Sequence, residues 1–145
     1  GAMVQDDRQL TIREMDEGEE FAAWLSDLAE RDTAARDDAF SERHLVLSDE
    51  IGDWIGGLRW SLRGGVAQVI EVGVLPQERR QGHAHRLLAA FEERAAEQGA
   101  HLFECWTDHI LEAGLFEASG WTRVFRRDDY IGGRTWCLLE KRRAS

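Results

Sequence analysis

The sequence predicts an α/β fold built on a mixed, mostly antiparallel sheet of about seven strands, and three observations carry that reading. Apolar residues alternate, or run in short blocks of strand length, at seven places along the chain. Between them apolar residues recur at helical spacing, most clearly from Ala84 to Ala95. Most neighbouring strands are joined by turns short enough for antiparallel pairing, whereas Gln68–Val74 and Leu102–Thr107 are joined through a helix and are therefore parallel. The order is β-α-(α)-β-β-β-α-β-α-β-β.

Taken in turn, "QLTIRE" (Gln9–Glu14) alternates and reads as the first strand. A helix follows, with Asp16 as N-cap, Glu19 three residues on, and Phe21, Trp24, Leu25 and Leu28 on one face. "RDTAARDDAFSER" is polar, a loop or short surface helix. "HLVLSD" and "DWIGGLRWSL" are strands separated by a turn at Glu50–Gly52, and Gly64-Gly65 marks a hairpin into "VAQVIEVGV". After the turn "LPQERRQG" comes a helix with Ala84, Leu87, Leu88, Phe91 and Ala95 in one stripe and Gly99 as its stop. "HLFECWTD" is nearly all apolar, as in a strand covered on both faces. A short helix, Ile110–Ala118, ends near Gly120, and "WTRVFRR" and "TWCLLEK" close the chain as paired strands around "DDYIGG".

At 145 residues the chain suffices for one domain, placed over 3–143, with Gly1 and Ala2 set aside as a cloning remnant. A charged fraction of 32% beside 43% hydrophobic residues fits a folded domain rather than a disordered one. No apolar run approaches the ~18 residues of a membrane span and no secretory signal is visible, so a cytoplasmic setting is expected. Cys105 and Cys137 are too few for a disulfide framework or a zinc site and are expected as free thiols, with no metal required. A net charge of −10 repels polyanions, which argues against nucleic acid as partner and mildly favours a cationic one.

Against that acidic background, Arg79, Arg80 and Arg86 gather at one strand–turn–helix junction, with His83 and His85 beside them. A helix start has unpaired N–H groups and a partial positive charge, and Gly82 lets a ligand approach the backbone, so the turn suits a phosphate or pyrophosphate. Neither a P-loop nor a three-glycine dinucleotide fingerprint is present.

The segment "VGVLPQERRQGHAHRLL" resembles the acyl-CoA signature of the GNAT superfamily of N-acetyltransferases, Arg/Gln-x-x-Gly-x-Gly/Ala between a strand and a long helix. Here it reads Arg79-Arg80-Gln81-Gly82-His83-Ala84, and the strand order agrees from about Leu10 to Lys141. The resemblance implies a sheet with helices on both faces and two central parallel strands that splay apart around the thioester of acetyl-CoA. It implies that the amides of Gln81, Gly82, His83 and Ala84, with Arg79 and Arg80, cradle the pyrophosphate, and that Val72, Gly73 and Val74 hold the pantetheine arm. It also implies an amine acceptor (a small cationic metabolite, an amine-bearing antibiotic or a peptide) and admits a homodimer.

Acetyl transfer needs an amine without its extra proton, hence a general base near the gap. Glu71 and Glu104 interrupt otherwise apolar central strands, and a carboxylate there needs a partner, water or a task. Both are candidate catalytic residues, Glu71 the stronger; the alternative is that each points outward or pairs with an arginine such as Arg59 or Arg134. Matching "LFEASGW" to the family's Leu-Tyr-Glu-x-x-Gly-Phe puts Phe116 where a tyrosine usually protonates the leaving thiolate, and His109 near a usual asparagine, both close to the cofactor. Phe116 has no proton to give. Tyr130, the only tyrosine, lies in the "DDYIGG" loop. The alternative function is therefore a catalytically weak or inactive acyl-CoA-binding sensor or interaction module. Trp106, near the end of a central strand, is a candidate acceptor wall or cation partner, with core packing as the simpler role.

Overall fold

The computed structural model describes residues 8–15, 18–32 and 40–144. They fall into two compact units that divide between residues 36 and 37. The first holds one helix, α1 (Glu19–Asp32), acidic in its first turn and with Arg31 in its last, the polarity that complements a helix dipole. Phe21 and Trp24 stack along it at 5.6 Å. Asp16, the expected N-cap, and residues 33–39 lie outside the described residues.

The alternating segment Gln9–Glu14 is not a strand; it has no regular secondary structure. Alternation marks which side chains would share a face, but a strand also needs an edge for its N–H and C=O groups, and no described strand pairs with it. Among the described residues the sheet therefore has six strands rather than about seven.

The second unit carries the whole sheet: β1 (Ser41–Ser48), β2 (Trp54–Arg63), β3 (Val66–Val74), α2 (His83–Glu97), β4 (Leu102–Thr107), α3 (Ile110–Ala118), β5 (Thr122–Arg127) and β6 (Trp136–Arg142). The strands lie in the order β1-β2-β3-β4-β6-β5. β3 and β4 run parallel, and every other pair is antiparallel. No helix is long and apolar enough to cross a membrane among the described residues.

Helix α2 lays its stripe on the sheet: Leu87, Leu88, Phe91 and Ala95 are all buried. Phe91 meets Trp60 of β2 at 5.4 Å and Phe103 of β4 at 5.7 Å, both edge-on, the arrangement aromatic quadrupoles favour. Helix α3 joins the same core through Phe116 and Ala113. Its end is set by two backbone bonds, Trp121 N–H to Phe116 C=O at 3.0 Å and Gly120 N–H to Glu117 C=O at 3.1 Å. This closing motif brings Phe116 and Trp121 together, with ring centroids 4.7 Å apart. The resemblance implies helices on both faces; within this unit α2 and α3 share one. Cys105 and Cys137 are free thiols two rungs apart on the β4/β6 ladder, facing Leu139 and Thr107 respectively.

Candidate active site

The site begins where two strands part. The parallel ladder between β3 and β4 runs from Val66 beside Leu102 to Val69 beside Cys105 and stops. Beyond it Val72, Gly73 and Val74 stay paired with Leu58, Gly57 and Gly56 of β2, while Trp106 and Thr107 stay paired with β6. The cause lies in the β2/β3 register: Arg59 faces Glu71 but Trp60 faces Val69, so Ile70 is an extra residue on β3. Such a bulge bends its strand, and here it separates the end of β3 from β4. The β4-facing edge of Val72–Val74 is left without a strand partner among the described residues. Gly56 permits the close pass of β2 at this point, since a Cβ there would sit 2.7 Å from the Gly73 carbonyl oxygen.

The chain then makes a 3₁₀ turn, Pro76–Glu78, and reaches α2 through Arg80 at φ 64° and Gly82 at φ 80°, both left-handed. Arg79 donates its Nε–H to the Val74 carbonyl at 3.2 Å, which ties the turn to the end of β3. No side chain caps α2. Its first backbone bond runs from Arg86 N–H to Gly82 C=O, so the N–H groups of His83, Ala84 and His85 lie ahead of the helical ladder. His83 adds a buried Nδ1 that has no hydrogen-bond partner among the described residues. Unpaired donors, an orphaned ring nitrogen and two exposed guanidinium groups are the groups a diphosphate requires, and they fit one.

Two cavities meet at the end of β3. The first, about 560 Å³, is lined by Val72–Val74, by Arg79, Arg80, Gly82, His83 and Ala84, and by His109, Leu111, Glu112 and Leu115 of the α3 region. The second, also about 560 Å³, lies toward β1 and β2 and shares Val72–Val74, with His44, Trp54, Arg59 and Glu71 among its other walls. Each is large enough for a substantial part of a small-molecule ligand.

Residues 9–121 match the family model described as the Acetyltransferase (GNAT) family. The chain belongs to the GNAT acetyltransferase family. No curated protein matches it in sequence. Among solved structures, an acetyltransferase from Bacillus cereus ATCC 14579 superposes with a TM-score of 0.73 at 19% identity, covering 94% of this chain and 98% of its own. A GNAT family acetyltransferase from Elizabethkingia anophelis with acetyl-CoA bound gives 0.65 at 12%, covering 71% and 77%. The Escherichia coli ribosomal-protein-S18-alanine N-acetyltransferase gives 0.63 at 17%, covering 86% and 78%.

In this GNAT fold the cofactor residues expected from sequence fall in one place: Val72, Gly73, Val74, Arg79, Arg80, Gly82, His83, Ala84 and His109 all line the first cavity. Gln81 is exposed in the same turn but is not among the lining residues. Phe116 is fully buried against Trp121 and does not reach the cavity, because the α3 closing motif draws it into the core.

The carboxylates divide. Glu71 is not the desolvated carboxylate that an apolar strand suggests: its side chain is 71% exposed and pairs with Arg59 at 2.5 Å, and Arg59 also holds Glu42 at 3.0 Å. It does line the second cavity. Glu104 lines neither cavity. It lies on the sheet face away from α2, directly opposite Glu140 of β6, and burial, then the Glu140 charge, push its carboxyl up from the ordinary 4.5. Trp106 shares that face with Phe125 and Tyr130, and Arg127 covers Trp106 at 5.7 Å and Tyr130 at 4.8 Å. The cation on these rings is thus the protein's own, and Tyr130 lines neither cavity. Asp108 is paired with Arg134, whose hydrogen bond holds its carboxyl low.

Sequence reasoning missed Glu112. It stands in the first turn of α3, half-buried, on the wall of the first cavity. Its Oε1 is 3.9 Å from Cys105 Sγ, and Cys105 is the last β4 residue paired with β3. Its backbone N–H is accepted by His109 Nδ1 at 3.4 Å, while His109 N–H is accepted by Thr107 Oγ1 at 3.1 Å. Burial raises the Glu112 carboxyl above 4.5, and the Asp108 charge adds to the rise against the opposing pull of His109. Cys105, buried beside it, is pushed up too, by burial first and then by Glu112. The available signal was the helix itself: Glu112 is a lone acid in the first turn of an apolar segment that follows a central strand.

Proposed function

We propose that the protein transfers an acetyl group from acetyl-CoA to a primary amine, both bound at once. The observation that carries this reading is the parting of β3 and β4 beyond Val69 and Cys105, with one cavity running from the gap to the uncapped start of α2. Acetyl-CoA, when bound, supplies an acyl group activated as a thioester. The N–H groups of Gly82, His83 and Ala84, with Arg79 and Arg80, hold its diphosphate, and the free edge of Val72–Val74 accepts its pantetheine arm as an added strand. Bacillus subtilis and Elizabethkingia anophelis relatives of the same fold, solved with CoA and acetyl-CoA, support the cofactor assignment.

The second cavity receives the acceptor. Glu71 on its wall attracts a cationic amine and takes its proton, directly or through water at the open mouth. Its exposure and its pairing with Arg59 make it a binding group first and a base second. The acceptor class is a small cationic metabolite, an amine-bearing antibiotic or a peptide amine. The protein's charge of −10 favours the cationic members. Glu104, outside both cavities, takes no part.

Calorimetric titration with acetyl-CoA, followed by thiol release against a panel of amines, tests the reading. Binding with amine-dependent thiol release is expected. Absence of binding overturns it, and binding without release for any amine identifies a sensor instead.

A further inference from the structure

We propose that Glu112 is the general acid that protonates the departing sulfur, in the place where Phe116 has no proton to offer. The inference rests on the acetyl-transfer reading above and deepens it. Glu112 and Phe116 lie four residues apart on one face of α3, and Glu112 is the member of that pair that reaches the cavity. Its carboxyl contacts Cys105 at the last rung before β3 and β4 separate, which puts it at the apex of the fork. That is where a thioester threaded between the strands must lie. Half-burial favours the protonated carboxyl, the form an acid requires.

The other groups around it are less suited. Cys105 holds its own proton tightly, and Asp108 is paired with Arg134. His109 Nδ1 accepts the Glu112 backbone N–H and is thereby committed to the α3 cap, leaving only its Nε2 with a proton. Glu78, His83, His85, Arg79 and Arg80 line the same cavity from the turn and α2, at its diphosphate-binding end. In the step, the amine lone pair forms the C–N bond and the C–S bond breaks with its electron pair on sulfur. Glu112 gives sulfur its proton, the amine proton leaves through Glu71 to solvent, and Glu112 regains a proton from water.

Glu112→Gln, compared with wild type and with Glu112→Asp, tests this. Turnover of Glu112→Gln is expected to fall about 10²-fold, with the dissociation constant of acetyl-CoA within about threefold of wild type and the alkaline limb of the pH–rate profile lost. Glu112→Asp, which retains a carboxyl, is expected to recover part of the rate. A readout independent of activity is the ultraviolet titration of the thiol of bound CoA. Replacing a neighbouring carboxylate by an amide lowers that thiol's apparent pKa by about one unit. Wild-type turnover in Glu112→Gln, or an unmoved thiol titration, overturns the proposal. Failure of the wild-type protein to bind acetyl-CoA overturns the functional reading instead, so the two are told apart.

Discussion

Arg79 donates its side-chain Nε–H to the main-chain carbonyl of Val74 at 3.2 Å, across a 3₁₀ turn. One guanidinium thereby fixes the spacing between the strand edge that would hold the pantetheine arm and the helix start that would hold the diphosphate. Its remaining N–H groups stay available for an anion. Arg79→Ala is expected to weaken acetyl-CoA binding about tenfold, the scale of one charge-assisted hydrogen bond. Arg79→Lys is expected to restore only part of the loss, because an ammonium cannot serve both partners in the same plane. Calorimetry on the three proteins checks this.

Gly82→Ala isolates the backbone requirement. Nothing lies within 4 Å of a Cβ built there, so the cost comes from the φ of 80° and not from a clash. An L-residue in that conformation loses about 1–2 kcal/mol, which lowers the unfolding midpoint of a domain this size by several degrees. Acetyl-CoA affinity falls as well, since relaxing φ reorients the first N–H groups of α2. An unchanged midpoint in a thermal scan contradicts the assignment.

Glu71→Gln is expected to reduce turnover about 10²-fold at neutral pH and to raise the KM of cationic amines. Acetyl-CoA affinity should hold, because the side chain lines the other cavity. Steady-state kinetics with each substrate varied in turn supply the measurement, and full activity in the variant removes Glu71 from the mechanism.

Stability carries a pH signature at Glu104. Its folded-state pKa is raised, by burial and by Glu140 opposite, so the folded chain holds this proton where the unfolded chain releases it. The contribution is full below the ordinary value of 4.5 and is lost as pH rises through the folded-state value. Glu104→Gln cannot ionise. Its unfolding midpoint should match wild type at about pH 4 and exceed it at higher pH, by a margin that levels off once the pH passes the folded-state value. A variant less stable than wild type at the alkaline end reverses the sign and refutes the account.

The turn-and-helix site was readable because its devices are local: a glycine, neighbouring arginines and an apolar stripe lie within one short segment of the chain. The helix limits Ile110–Ala118 and the Gly64-Gly65 hairpin were readable for the same reason. The sequence was less legible where the outcome depends on a distant partner. Leu10 and Ile12 alternate like strand residues, yet pairing needs an edge that sequence does not reveal. Glu71 sits in an apolar run, but the register set by the extra residue Ile70 brings it to Arg59 on the exposed face. Phe116 matches a family position by spacing, while the closing motif at Gly120 turns its ring into the core. Glu112 becomes notable only when α3 is set against the end of β4.

Val72, Gly73 and Val74 border both hollows; the far walls are α2 and the α3 region in one and β1 and β2 in the other. With donor and acceptor placed in the two hollows as proposed, neither would have to wait for the other to clear the way. Varying both concentrations should give intersecting rather than parallel reciprocal plots. A single compound joining donor and acceptor halves by a tether only one strand's breadth long should outcompete either half, since the second contact becomes intramolecular.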